Sequence, residues 1–180
     1  GGGAVSSEGL ALSVDLKPAT GDMVGYRAKP HTGGIDLDKL GHYAPSEFWE
    51  ELRTSNGRLI LDPDAFYILV SREAVHIPPD YAAEMAPFLA MVGEFRVHYA
   101  GFFDPGFGDA GSGGSGSRAV LEVRSHDVPF MIEHGQIMGR LVYERLTEIP
   151  DRVYGQGIGS SYQRQGLQLG KHFKPWPARG

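Results

Sequence analysis

The sequence contains no cysteine. That absence excludes disulfides, thiolate zinc sites and thiol nucleophiles together. It also excludes the zinc-dependent nucleobase deaminases, which need an H-x-E and a P-C-x-x-C element to hold the metal that activates water. Neither element occurs in the sequence. Excess positive charge is missing too: 17 Lys and Arg stand against 22 Asp and Glu, a formal net charge of -5. No basic surface advertises nucleic acid or an acidic membrane, so an anionic ligand must be met by a few local groups. No apolar run approaches the roughly 20 residues that span a bilayer, and the opening GGGAVSS has no basic-then-apolar signal pattern. The expectation is a soluble, cytoplasmic chain that engages neither nucleic acid nor membrane.

A chain of 180 residues can bury one good core but not two. Residues 1–9 open on three glycines and read as a scar or linker, and residues 10–152 read as a β domain. Residues 153–180, rich in Gly, Gln, Ser and Tyr, read as a C-terminal arm. Residues 10–16 (LALSVDL) alternate apolar and polar side chains, as a half-buried strand does. Residues 17–44 carry the Gly, Pro, Thr and Asp of loops.

One short helix is expected next, capped by Ser46, with Glu47, Glu50 and Glu51 near its positive end and Asn56-Gly57 ending it. Residues 58–61 and 65–71 flank Asp62-Pro63-Asp64 as strand, turn and strand. Pro78-Pro79 and Pro87 interrupt the chain beyond residue 77, because proline has no amide hydrogen for a ladder. Residues 95–103 then enter the turn Asp104-Pro105-Gly106. A second strand runs through residues 119–123, and a third comes after the His134-Gly135 corner. Many short strands with a single short helix point to a closed or sandwiched β architecture. The Gly-Ser tract over residues 111–117 fits either a cradle of backbone amides for an anion or a flexible hairpin connection. The connection is favoured, since neither a following helix nor a P-loop lysine supports the cradle.

The turn and the strand after it carry the chemistry. FFDPGFG feeds AVLEV, a strand with a lone carboxylate, Glu122. By pattern alone Glu122 fits the polar face of that strand, beside Arg124 and His126, as well as it fits a catalytic role. Together with LDPDAFYILVSREAVHIPPDY (residues 61–81), VHYAGFFDPGFG (97–108) and SSYQRQGL (160–167), the segment resembles the dCTP deaminase family of the dUTPase-like superfamily. The resemblance covers roughly residues 59–166 and fits the C-terminal half of tandem-domain bacterial members.

It implies an all-β, dUTPase-like distorted jelly-roll or β-clip barrel that forms homotrimers with active sites between subunits. It also implies zinc-independent deamination of dCTP to dUTP and ammonia, with Mg2+ accompanying the triphosphate. Deamination needs water at C4, a proton at N3 and departure of ammonia, steps a single carboxylate poised near neutrality can serve. Carried over by position, Glu122 is the general base. His98, Tyr99 and Asp104 fall where the family lines the nucleotide pocket. Tyr162, Gln163, Gln165 and Gly166 match the arm that closes on sugar and phosphates.

The chain departs from the family at APFLAMVG, residues 86–93. There the family's G-R-S-S-x-x-R-x-G element supplies phosphate-binding groups. Arg96, on the adjoining strand, is the candidate substitute, and an N-terminal sister domain or a designed partner is the other possible source. Two rival readings arise: a non-catalytic trimeric module, either a degenerate half of a duplicated enzyme or an engineered assembly component, and a dUTPase.

Overall fold

The computed structural model describes residues 9–87, 95–97, 101–112, 115–125, 127–155 and 166–176. Five strands form one antiparallel sheet in the order β3 (Trp49–Arg53), β2 (Met23–Ala28), β5 (Phe66–Val75), β9 (Ser117–Ser125) and β7 (Phe95–Val97). Four form a second, in the order β1 (Leu10–Ser13), β11 (Ile137–Arg145), β6 (Tyr81–Pro87) and β8 (Phe102–Phe103). A two-stranded ribbon, β4 (Arg58–Leu61) with β10 (Phe130–Glu133), closes one end. Among the described residues the chain thus adopts the expected all-β architecture, with one short α-helix.

The core lies between the sheets because each strand presents alternate residues inward. Leu69, Leu121 and Val123 of the five-stranded sheet meet Leu12, Met85 and Leu141 of the four-stranded one, and Leu61 and Ile132 of the ribbon seal the end. In β2 the alternation is broken by a bulge between Met23 and Gly25. One extra residue turns Val24 into the main core and Tyr26 onto the opposite face.

Three local expectations change. The helix is a single turn, α1 (Pro45–Phe48), led by Pro45 rather than capped by Ser46. The residues expected to continue it form β3, pairing Trp49, Glu50 and Glu51 with Ala28, Arg27 and Tyr26. The open edge of β2 offers a ladder of hydrogen bonds, and this tertiary pairing overrides the weak helical preference of EFWEEL. The stretch read as one strand over residues 95–103 is divided: β7 pairs with β9, whereas β8 pairs with β6 in the other sheet. The chain from β8 to β9 therefore crosses between sheets and is not a hairpin. Its Gly-Ser part is pinched at the base, where the Gly116 amide donates to the Gly108 carbonyl at 2.8 Å.

A polar network joins the sheets beside an irregularity in β5 between Val70 and Ala74. The Ser71 hydroxyl accepts the Ala119 amide at 2.9 Å, and Glu73 accepts both the amide and the hydroxyl of Ser13 at 2.8 and 2.7 Å. Arg118 donates to the Ser71 carbonyl at 2.6 Å and pairs with the buried Asp15. Burial alone pushes the Asp15 carboxyl up, but hydrogen bonds from Arg118 and the Lys17 amide, with the charges of Arg118 and His134, outweigh it and hold the carboxyl low. His134 Nδ1 accepts the Leu16 amide at 3.1 Å and lies 3.4 Å from Asp15 Oδ1.

A carboxyl held below its ordinary value of 3.8 contributes stability that is complete above that value and is lost as pH falls through the depressed one. Arg118→Met leaves Asp15 buried without its main partner and is expected to cost about 3 kcal/mol at neutral pH in chemical denaturation. Thermal unfolding followed between about pH 5 and pH 2 should show an acid loss in the parent chain that shrinks or reverses in Arg118→Met.

Candidate active site

Strand β9 sorts its side chains cleanly. Ser117, Ala119, Leu121, Val123 and Ser125 are buried on the inner face, and Arg118, Val120, Glu122 and Arg124 lie on the outer one. Glu122 is half-buried and stands opposite Ile68 of β5. Phe66, on the same face, is covered by the Arg124 guanidinium at 5.3 Å. Among the described residues no donor hydrogen-bonds the Glu122 carboxylate and no cation pairs with it.

The second wall is the turn Asp104-Pro105-Gly106-Phe107. Pro105 presets its first corner, Gly106 takes φ 88° at the second, and the Phe107 amide donates back to the Asp104 carbonyl at 3.1 Å. The turn is tied to Ile77, whose carbonyl accepts the Gly106 amide at 3.0 Å and whose amide donates to Phe107 at 2.8 Å. Tyr154 donates its amide to Pro105 at 2.7 Å and packs its ring 5.4 Å from Phe107, which in turn meets Phe103 at 5.2 Å. Phe103 is buried and its neighbour Phe102 is exposed.

The roof comes from the C-terminal segment. Tyr26, Ile68 and Val120 leave the outer face of the five-stranded sheet apolar, and Leu167, Leu169, Phe173 and Trp176 cover it. Trp176 stacks on Tyr26 at 5.2 Å, and burial, with the nearby Glu51 carboxylate, pushes the Tyr26 hydroxyl up so that it stays neutral. The loop before α1 clamps this segment. The Gly41 and His42 amides donate to Lys171 and His172 at 2.9 Å, and the Lys174 amide donates to Tyr43 at 2.9 Å. The Tyr43 ring packs against Phe48 and Phe173, and its hydroxyl accepts the Asp36 amide at 2.7 Å.

Strand, turn and roof enclose a cleft of about 410 Å³, a size typical of small-ligand sites. Glu122 and Asp104, both expected site residues, line it together. Among the described residues they are its only charged groups, with Tyr154 and Gln168 as its other polar side chains. Gly166 is exposed and outside the lining, which takes Gln168, Leu169 and Gly170 instead. The backbone of Arg96 pairs with Arg124 on β9. His98, Tyr99, Tyr162, Gln163 and Gln165 lie outside the described residues, as does most of the segment that departs from the family's serine and arginine pattern. Reading the sequence missed Phe102, Tyr154 and Gln168. The doubled aromatic before the D-P-G turn was the available signal for Phe102, since one of two successive strand residues must face out.

Comparison with known proteins settles the family. Residues 2–173 match the model of the 2'-deoxycytidine 5'-triphosphate deaminase (DCD) C-terminal domain. The chain belongs to that family. Its fold is accordingly the dUTPase-like β fold. A crystal structure of 2'-deoxycytidine 5'-triphosphate deaminase from Agrobacterium tumefaciens superposes with a TM-score of 0.73 at 64% identity, over 78% of this chain and 43% of that one. Among curated proteins, a dCTP deaminase, dUMP-forming, of Pseudarthrobacter chlorophenolicus is 30% identical over 73% of this chain and 69% of its own length. Those of Beutenbergia cavernae and Halobacterium salinarum are 32% and 33% identical, each over 59% of this chain. The chain spans 53% and 52% of those two relatives.

If the loop clamps the roof, Tyr43→Ala should release it. Loss of the aromatic contacts, worth about 0.5–1.5 kcal/mol each, is expected to speed exchange of the Phe173 and Lys174 amides about tenfold or more. Amides of β5 and β9 should keep their protection in the same hydrogen-exchange measurement.

Proposed function

We propose that this domain carries out the deamination step of a dCTP deaminase, with Glu122 as the proton shuttle. The observation that supports the reading most is a strand-borne carboxylate, without a hydrogen-bond donor among the described residues, in a cleft walled by the D-P-G turn of its family. The cytosine ring enters between the turn and the C-terminal segment. Glu122 takes a proton from water as the oxygen bonds to C4, and passes it to N3. The proton of the new C4 hydroxyl then moves through the same carboxylate to the amino group. The C4–N bond breaks, ammonia leaves, and a carbonyl remains at C4. The sum is dCTP and water giving dUTP and ammonia.

Two carboxylates and no described cation suit an amino-substituted base and repel a polyphosphate. The triphosphate therefore lies outside this cleft, met by Arg96, by the arm around Tyr162, or by a neighbouring subunit or sister domain of a homotrimer. Magnesium would accompany the triphosphate, held mainly by phosphate oxygens and water, and would offset the phosphate charge. The names of three curated relatives support an added second step, in which water cleaves dUTP to dUMP and pyrophosphate.

The test is turnover of dCTP by the purified chain with magnesium, with products separated by chromatography and binding followed by calorimetry. Glu122→Gln is expected to keep dCTP affinity and lose about 10²- to 10⁴-fold in kcat. Accumulating dUTP marks simple deamination, and dUMP marks the coupled reaction. Full turnover in Glu122→Gln overturns the role of Glu122, whereas no dCTP binding by the parent chain overturns the deaminase reading and favours a non-catalytic module.

A further inference from the structure

Phe102 is the most solvent-exposed of the large apolar side chains described, at 82% of its full surface, and it alone of the exposed ones lines the Glu122 cleft. Its place is rigid on one side. β8 pairs with β6 through Ala83 and Glu84, and Phe103, the next residue, is locked into the core against Phe107. With Phe103 anchored inward, strand geometry holds the Phe102 ring outward at the mouth. The polar groups beside it are dominated by acceptors, the carboxylates of Glu122 and Asp104. A ligand fitting both features brings hydrogen-bond donors on its edge and a flat apolar face.

Building on the reading of this cleft as a cytosine site, we infer that Phe102 is a stacking platform for the nucleobase and so a specificity-determining residue. The ring takes the face of an amino-pyrimidine while its edge meets the carboxylates. Deamination replaces the donating amino group with an accepting carbonyl, which the same carboxylates disfavour; by holding the edge of the base against them, the platform lets the carboxylates favour substrate over product. Phe102 moves no proton; its contribution is to affinity and to the choice of base.

Base-aromatic stacking of this kind changes affinity by about five- to a hundredfold when the ring is removed. Phe102→Ala should raise the Kd and KM for dCTP by about tenfold and leave kcat at saturation within about twofold. Phe102→Trp should restore affinity, and the preference for dCTP over dUTP should narrow in the alanine variant. Because the side chain is exposed, neither variant is expected to lower thermal stability. Sedimentation of both forms is the companion measurement. Unchanged affinity in Phe102→Ala, when the parent binds dCTP, overturns the stacking role alone. Lost affinity with a changed oligomeric state overturns it too, assigning the ring to a subunit contact. A parent chain that binds no dCTP overturns the deaminase reading and the stacking role together.

Discussion

The outer face of the five-stranded sheet cannot be left in water, and much of the molecule depends on that. Tyr26 and Ile68 are buried there, and Leu169 closes over them. Fully burying a side chain of this size is worth about 1.5–3 kcal/mol each, enough in sum to order a segment whose own composition favours no regular structure. The segment that covers them leaves Gln168 to Gly170 beside Glu122. Hydrophobic burial of a sheet face thus builds one wall of the cleft.

The cleft is held from three independent directions. Main-core packing positions β9, two hydrogen bonds from Ile77 hold the D-P-G turn, and the loop through Tyr43 clamps the C-terminal segment. The network of Asp15, Arg118, Ser71 and Glu73 secures β9 against β5 next to a register shift. A misplaced register there would move every side chain of β9 to the opposite face. Glu122 would then point into the core.

Much of the fold was legible from local pattern. The alternation of LALSVDL and AVLEVRS marks strands, and proline and glycine mark the turns, because these signals depend on backbone sterics that neighbours seldom override. EFWEEL misled because six residues carry too little propensity to resist an unpaired strand edge. Residues 95–103 misled because nothing local says that a strand changes sheets midway. In the cleft, Glu122 and Asp104 stand in the motif, whereas Tyr154 and Gln168 belong to stretches with no chemical signature.

Taken by itself, the sequence determined the all-β class, the absence of disulfides and thiolate metal sites, the D-P-G turn and the candidacy of Glu122. Each of these rests on residue type or on contacts a few positions apart. Only the tertiary structure decided that Glu122 and Asp104 share one cleft, that Phe102 faces out while Phe103 faces in, and that residues 167–170 form the roof. Those outcomes depend on which sheet each strand joins and which apolar face lacks cover. Such choices are made by burial and pairing across the whole chain, where spacing along the sequence carries no information.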